Sequence, residues 1–475
     1  MKKLSSTRTN FIFNAIYQLS TILVPLITMP YLSRVIGPAG LGEYSFAYSV
    51  AFYFTIFIKL GLNNYGNRTI AYVKDDKEAL SKTFWEIYCF QLFLGVILFA
   101  IYIVYSVFFS PNKTLGIVMG IFVFSSIIDI NWCLYGLEKF KVTSTRDVIT
   151  KILVTLCIFM FVKCPEDVWL YAFLYSMGMF INQLIVIPLA KGEISFCKVR
   201  AEDVFKHIKP NLVLFIPVVA VSIYRAMDKI MLGIMSTNIE LGYYHGAENV
   251  IRVPMAFVTA LGTVMLPRMS NMIARGENKK RVEGTFDKSI VFAMFLATSI
   301  CFGIMAVSRE FVPIFYGPGY EKCNFLFYII LPGSMFDAFA NVIRTQYLIP
   351  RKKDKIYVFS LGIGAAINLI MNLILIPRYD SVGAAIGTFS AYATVCVVQA
   401  ICVFKEANIG RNVVNSIPFV ISGIAMFLLL WSYTPNVSND VLALFVKIII
   451  GAGCYLGILG IVLGLYDIYR RCFKI

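Results

Sequence analysis

The sequence is poor in charge and in the residues that bind metals. Charged side chains make up 15% of its 475 residues, and it contains only two histidines. Ordinary soluble domains carry about 25% charged residues, so this composition excludes a typical water-soluble protein. The eleven cysteines occur singly, without a CxxC pair, which argues against a disulfide framework and a zinc cluster. We therefore expect no metal ion and no cofactor.

Signatures of catalysis are also missing. There is no GxxxxGK[ST] phosphate loop and no recognisable nucleophile beside a base, so neither an ATPase nor a hydrolase is indicated. The longest connection predicted outside the membrane, about residues 309–322, is short for the active-site loop of a membrane-embedded polysaccharide polymerase or ligase. The sequence therefore favours a protein that is not an enzyme, with such a polymerase as the weaker alternative.

Long apolar stretches dominate what is present, since 59% of the residues are hydrophobic. A helix needs about 20 apolar residues to cross a hydrocarbon core of roughly 30 Å. The sequence therefore predicts an all-α polytopic membrane protein with about fourteen transmembrane helices. The predicted spans are 9–35, 42–63, 83–109, 114–136, 144–163, 168–190, 210–235, 242–266, 285–308, 323–349, 355–377, 383–404, 413–434 and 441–466.

The formal net charge of +16 is explained by membrane topology. When the N-terminus is placed inside, most Lys and Arg fall in interior segments, including the connections 64–82, 137–151, 191–209 and 267–288. By the positive-inside rule, both termini are then cytoplasmic. We expect a multi-pass protein of a bacterial cytoplasmic membrane that contacts membrane lipids and does not bind nucleic acid.

The chain is predicted to have two halves. Leu41-Gly42-Glu43-Tyr44 is echoed by Leu241-Gly242-Tyr243-Tyr244 at the start of equivalent spans, as in parallel repeats. The segment 191–209 has apolar residues at helical spacing and is predicted as an amphipathic cytoplasmic linker, with a solvated basic loop as the alternative. The predicted divisions are an N-terminal lobe (1–190, helices 1–6), the linker (191–209), a C-terminal lobe (210–404, helices 7–12), and helices 13 and 14 with a cytoplasmic tail (405–475).

Ionisable residues inside the predicted spans are candidates for function, because a charge at the bilayer centre is costly. Three spans each place acids and bases on one helical face. Bases outnumber acids, so we predict that the bases bind an anionic substrate; salt bridges that only join the helices are the alternative. The bases are Arg225, Lys229, Arg252 and Arg344, and the acids are Asp228, Glu248 and Asp337.

Polar stripes and isolated acids complete the candidates. Asn14 and Gln18 lie on one face of span one, and Asn368 and Asn372 lie on one face of span eleven. Such stripes either bind sugar hydroxyls or form hydrogen-bonded seams between helices. Without an ATPase motif, transport needs an ion gradient or substrate consumption. The candidates for coupling to a proton or sodium ion are Asp129, Asp228, Glu248, Asp337 and His245.

Two stretches of sequence resemble a known family. They are PYLSRVIGPAGLGEY at residues 30–44 and DKIMLG at residues 228–233, the latter followed by Leu241-Gly242-Tyr243-Tyr244. Both are similar to polysaccharide repeat-unit flippases, the Wzx-type branch of the multidrug/oligosaccharidyl-lipid/polysaccharide exporter superfamily.

The resemblance implies two six-helix lobes around a central cavity, with two further C-terminal helices. It also implies export of undecaprenyl-diphosphate-linked oligosaccharides for capsule, O-antigen or exopolysaccharide, by alternating access, beside the polysaccharide polymerase machinery. The cations Arg225, Lys229, Arg252 and Arg344 would then hold the diphosphate or acidic sugars. A lipid II flippase and a multidrug/ion antiporter are the alternatives within the superfamily, although span one lacks the central charges expected of the former.

Overall fold

The structure is a computed structural model that divides into two compact units after Gly233. It describes the backbone of residues 2–190, 192–435, 437 and 439–473. It also describes the side chains of residues 17–464, except 191, 217, 220, 224, 225, 436 and 438. All regular structure in these parts of the chain is helical.

The first unit is built from eleven helices, the last of which runs two residues past Gly233. A 3₁₀ turn, Pro165–Asp167, precedes α8. The helices are α1 (Lys2–Val35), α2 (Gly37–Lys59), α3 (Leu62–Val73), α4 (Lys77–Phe108), α5 (Lys113–Ile127), α6 (Asn131–Gly136), α7 (Phe140–Phe161), α8 (Val168–Leu184), α9 (Val186–Ala190), α10 (Ala201–Phe205) and α11 (Ile208–Met235).

The second unit is built from longer helices. The third of them continues through a π-helical turn, Ile343–Leu348. The helices are α12 (Asn238–Ala274), α13 (Lys279–Tyr316), α14 (Lys322–Val342), α15 (Asp354–Cys402), α16 (Ile409–Ser432) and α17 (Asp440–Phe473).

The helices have the length and composition of membrane spans. Ten helical segments in the described part of the chain are long and apolar enough to cross a bilayer. One of them, α15, has 49 residues and a non-helical φ of 52° at Asp380, so it consists of two successive helices. The helices α1, α7 and α11 occupy the remaining predicted spans. The predicted all-α polytopic membrane fold is confirmed.

The break at Asp380 is stabilised by side chains of α12 and of the turn before it. Ser236 donates a hydrogen bond to Asp380 Oδ1 at 2.6 Å. The backbone N–H of Ser381 donates to Glu240 Oε2 at 3.3 Å, and Lys322 Nζ lies 2.6 Å from Glu240 Oε1. These contacts hold the starts of α12 and α14 at the point where α15 changes direction, so the break has defined partners.

In the first unit, a buried glutamine supports the end of α5. Gln91 Nε2 donates to the carbonyl oxygens of Ser126, Ile127 and Asp129, at 2.8 to 3.2 Å. Its Oε1 accepts a 2.9 Å hydrogen bond from Trp132 Nε1. The last carbonyls of a helix have no hydrogen-bond partners within the helix, and a buried carbonyl without a partner destabilises the fold. Gln91 supplies these partners at the end of α5.

The helix α11 packs with the first unit, although the sequence places it in the second lobe. Tyr53 donates a 3.0 Å hydrogen bond to the carbonyl of Ser222, and Gly233 packs directly on the Phe46 ring. These contacts group α11 with α2, and the first compact unit accordingly extends along the chain to Gly233.

The connection before α11 is helical over a shorter segment than predicted. Among the described residues of the predicted amphipathic helix 191–209, only α10 and the first two residues of α11 are helical, and Phe205 at the end of α10 is exposed. The preceding segment is held against α4, because Ser195 N donates to Ser81 Oγ and Trp85 Nε1 donates to the Ser195 carbonyl, both at 3.0 Å. These side chains hydrogen-bond to backbone groups that would have paired with each other in a helix.

Candidate functional site

The polar stripe predicted on span eight is present on α12. Arg252 Nη2 donates to Glu248 Oε1 at 3.0 Å, and Asn249 Nδ2 lies 3.1 Å from His245 Nε2. Both pairs are one helical turn apart, so this face carries alternating charged and amide groups. The Arg252 side chain is 58% exposed, whereas that of Glu248 is 22% exposed. A cation therefore extends outward from the middle of a membrane-length helix.

Asp337 and Arg344 lie on α14 and on the π-helical turn that follows it. Both side chains are half-buried. The Arg344 guanidinium lies 5.6 Å from the centre of the Tyr357 ring, which is a cation–π distance. A π-helical turn interrupts the regular hydrogen-bond ladder and is frequent at functional sites, so the position of Arg344 within it is consistent with a role in binding.

The candidates on α11 are Arg225, Asp228 and Lys229. The side chains of Asp228 and Lys229 are buried, with exposed fractions of 2% and 4%. The side chain of Arg225 lies outside the described residues. Asp228 and Lys229 are thus buried, and their predicted roles in ion coupling and substrate binding stay predictions.

The two predicted amide stripes have different surroundings. Asn368 and Asn372 are fully buried, and Asn372 Nδ2 donates to Asn368 Oδ1 at 3.3 Å. Asn372 also packs on Gly387 in the second part of α15, which is the arrangement of a seam between helices. Gln18 on α1 is exposed, and the side chain of Asn14 lies outside the described residues.

Asp129 is engaged in an ion pair. Its carboxylate contacts Lys59 Nζ and accepts a 3.0 Å hydrogen bond from the backbone N–H of Asn131. The Asp129 side chain is 5% exposed. Two partners already neutralise and orient this carboxylate, so the geometry favours a role in joining α2 to the α5–α6 turn.

Sequence reasoning missed a buried polar network around α7. Arg146 Nη2 bonds to Asp147 Oδ1 at 2.7 Å and to Asn131 Oδ1 at 3.0 Å, while Asn182 Nδ2 donates to Asp147 Oδ1 at 2.7 Å. Arg146 and Asp147 were counted in the interior connection 137–151, but α7 begins at Phe140 and both side chains are buried along it. The sequence does carry a signal for this network, because Arg146, Asp147 and Lys151 interrupt an apolar pattern with helical periodicity.

A second missed cluster ties the linker to α3 and α4. Tyr65 Oη lies 2.6 Å from His207 Nδ1, and His207 Nε2 lies 3.0 Å from Glu86 Oε2. Glu86 also accepts from Lys206 Nζ at 2.9 Å. Burial lowers the pKa of Lys206, but the hydrogen bond and charge of Glu86 outweigh it, so the pKa is raised overall. The sequence gave no signal for this cluster, because Tyr65 and Glu86 are distant from His207 along the chain.

Metal binding is not supported by the described residues, among which no three His, Cys, Asp or Glu side chains converge as ligands. What the chain does present is a bundle of membrane-length helices with charged and amide groups on selected faces. These features define a multi-pass membrane transporter, which needs polar groups within the bilayer but no catalytic centre.

Comparison with known proteins identifies the family. The family described as "Polysaccharide biosynthesis protein" matches residues 7–273, more than half of the chain, so the chain belongs to this family. A protein of Escherichia coli strain K12 named as an O-antigen transporter is 23% identical over 410 residues, covering 85% of this chain and 97% of that protein. A Haloferax volcanii protein named as a low-salt glycan biosynthesis flippase is 27% identical over 240 residues, covering 49% of each chain.

The solved structures agree with the fold. The lipid II flippase MurJ in an inward closed conformation superposes with a TM-score of 0.76 at 15% identity, covering 98% of this chain and 100% of that one. At this identity the likeness shows the fold alone. Together with the family, it identifies the chain as a multi-pass membrane protein of polysaccharide biosynthesis.

Proposed function

We propose that the protein is a flippase for undecaprenyl-diphosphate-linked oligosaccharide repeat units. It moves them from the cytoplasmic to the outer leaflet of a bacterial cytoplasmic membrane by alternating access, with both chain termini in the cytoplasm. The family and the names of its relatives support a glycan cargo. Polysaccharide polymerase machinery would use the delivered units for capsule, O-antigen or exopolysaccharide.

The observation that carries this proposal is the exposure of Arg252. Arg252 lies about ten residues, or roughly 15 Å of helix, from the predicted outer boundary of its span. A guanidinium exposed to hydrocarbon at that depth costs at least about 2.5 to 3.5 kcal/mol. It is therefore best explained by an aqueous path that carries an anion. Its planar fork matches phosphate oxygens, which suits a lipid diphosphate better than the cationic drugs of a multidrug antiporter.

The other bases extend the same proposal. Lys229 and Arg344 in the described part of the chain, together with Arg225, would hold the diphosphate or acidic sugars, while Gln18 and Asn14 would bind sugar hydroxyls. Coupling to a proton or sodium ion would use Asp228, Glu248, Asp337 or His245. Asp129 and Glu248 are the weaker candidates for coupling, because Lys59 and Arg252 already pair with them.

Export in cells tests the proposal. In a strain lacking this protein, the wild-type chain should restore surface polysaccharide, whereas Arg252→Gln should restore little and should leave lipid-linked oligosaccharide inside the membrane. The matched control is Arg275→Gln, an exposed arginine that caps the C-terminal end of the same helix. Full export by Arg252→Gln at wild-type expression would refute the role of Arg252. Normal surface polysaccharide without the protein would refute the function.

A further inference from the structure

Lys151 occupies an unusual position in the first unit. It lies halfway along α7, a helix of 22 residues. At about 1.5 Å per residue, this helix is roughly 33 Å long and matches the hydrocarbon thickness of a bilayer. Lys151 therefore lies about ten residues, or roughly 15 Å of helix, from either end of α7, which is farther than a lysine side chain reaches by ordinary snorkelling.

The neighbouring charges on the inner side of Lys151 are already matched. Lys59 pairs with Asp129, and Arg146 pairs with Asp147. Asn182 completes the second pair, since its amide donates to Asp147 and its Oδ1 accepts a 3.2 Å hydrogen bond from Thr150. Two acids thus balance two bases, and Lys151 adds a third positive charge.

The contacts of Lys151 include no ion pair, and the nearest acid along α7, Asp147, acts on Lys151 only from beyond ion-pair distance and is already paired with Arg146. Its Nζ lies 4.4 Å from the centre of the Tyr17 ring and 3.5 Å from Ser20 Oγ, both on α1. Among the described side chains, no carboxylate lies within ion-pair distance of it. A tyrosine face and a hydroxyl stabilise an ammonium only weakly compared with an anion. The Lys151 side chain is half-buried, so part of it is accessible.

A second lysine–tyrosine pair, formed by Lys163 and Tyr31 near the ends of α7 and α1, provides a comparison. Lys163, just beyond the end of α7, lies 5.7 Å from the Tyr31 ring and donates to the Phe159 carbonyl at 2.5 Å. Lys163 is exposed at the helix end, where water and lipid headgroups solvate a lysine. The same residue types therefore form an anchor at the end of α7, whereas Lys151 lies halfway along the helix.

We propose that Lys151, together with the Tyr17 ring, is a binding element for an anionic group of the transported lipid-linked glycan. The group is either a phosphate of the lipid carrier or the carboxylate of an acidic sugar. This inference rests on the proposed function and adds to it a cation in the first unit. The ammonium pairs with the anion, and the aromatic face and the Gln18 amide are suited to an adjoining sugar ring.

Binding to the purified full-length protein in detergent tests the inference, with two probes that separate the anions. Farnesyl diphosphate supplies phosphate without sugar, and methyl glucuronide supplies a sugar carboxylate without phosphate. In Lys151→Gln, the affinity for one probe should fall about tenfold. Lys151→Arg, which keeps the charge, and Lys163→Gln, the matched control, should stay close to wild type.

The pattern of losses identifies the anion. A loss confined to farnesyl diphosphate assigns the phosphate, and one confined to methyl glucuronide assigns the carboxylate. A true ion pair also predicts that wild-type affinity decreases with added salt, with little further salt effect in Lys151→Gln. Size-exclusion profiles and melting temperatures verify that each variant is folded.

Unchanged affinity of folded Lys151→Gln for both probes would overturn the inference. An equal loss in Lys151→Arg would do so as well, because charge would then not be the cause. Either result leaves the proposed function standing if Arg252→Gln still blocks export. Failure of the proposed function would be visible separately, as normal export in cells that lack the protein.

Discussion

Lys447 on α17 donates a 2.8 Å hydrogen bond to Glu310 Oε1 on α13, and the Lys447 side chain is only 2% exposed. The pair joins two helices of the second unit. Glu310 is 20% exposed, so the lysine is the more deeply desolvated partner. Such a pair contributes little net stability, but removal of one member leaves an uncompensated buried charge.

Replacement of one partner should therefore destabilise the protein more than replacement of both. Lys447→Met should lower the free energy of unfolding by about 3 kcal/mol. The double variant Lys447→Met/Glu310→Gln should recover most of that loss. Denaturant titration of the variants in detergent gives their free energies of unfolding. Equal losses in single and double variants would show that charge compensation is not the cause.

The close approach of Gly387 to Asn372 predicts a strong effect of a single methyl group. A Cβ at Gly387 would overlap the Asn372 side chain, which is fully buried. Gly387→Ala should therefore destabilise the protein by about 1 to 3 kcal/mol. Gly362→Ala on the same element is the control, because its Cβ would meet no atom within 4 Å. The measurement is the melting temperature of both variants; equal values would contradict the predicted overlap.

The turn between α7 and α8 predicts a small dependence of stability on acid. Asp167 Oδ2 accepts hydrogen bonds from the backbone N–H groups of Lys163 (2.7 Å) and Cys164 (3.0 Å), and these lower the pKa of Asp167 below its usual 3.8. A carboxyl with a lowered pKa stabilises the fold above its ordinary pKa and loses that contribution as the pH falls through the lowered value.

Asp167→Asn should therefore be less stable than wild type near neutral pH. The difference should be only a few tenths of a kcal/mol, because the group is exposed and screened by solvent. It should shrink as the pH falls below the ordinary pKa of 3.8 and vanish once the pH lies below the lowered pKa. Free energies of unfolding of both proteins across this range provide the check, and a difference that grows in acid would contradict the assignment.

The cluster of Glu86, His207 and Lys206 predicts how firmly the linker is held. Glu86→Ala removes the acceptor of both Lys206 and His207, so the linker should separate more often from α4. Trypsin should then cleave after Lys198, Arg200 or Lys206 several-fold faster than in wild type. Glu202→Ala, at an exposed position on α10, should cleave at the wild-type rate. Unchanged cleavage in Glu86→Ala would show that this cluster does not hold the linker.

The sequence predicted the helical framework well because the bilayer imposes a fixed length on apolar segments. Each of the predicted spans falls on a described helix, and the break at Asp380 lies between spans eleven and twelve. The lobe boundary differed, since it depends on whether Phe46 packs on Gly233, and packing between distant residues leaves no periodic signal.

Prediction of the site was less complete. Periodicity found the α12 stripe, because its members lie one turn apart on a single helix. The network of Arg146 and Asp147 was missed because Asn131 and Asn182 belong to other helices. Asn368 and Asn372 were found by their spacing, but the same spacing occurs in a buried seam between helices and in the polar lining of a cavity. Periodicity alone therefore does not distinguish the two.

The most direct test of the proposed flippase is translocation in reconstituted vesicles. A polyprenyl diphosphate carrying a fluorescent oligosaccharide is placed in one leaflet, and its exposure to an impermeant quencher on the other side is followed. We predict that wild-type protein translocates the lipid intact and that Arg252→Gln is slower by about tenfold or more, with Arg275→Gln unaffected. Wild-type vesicles no faster than empty ones, or equal rates for wild type and Arg252→Gln, would contradict the account.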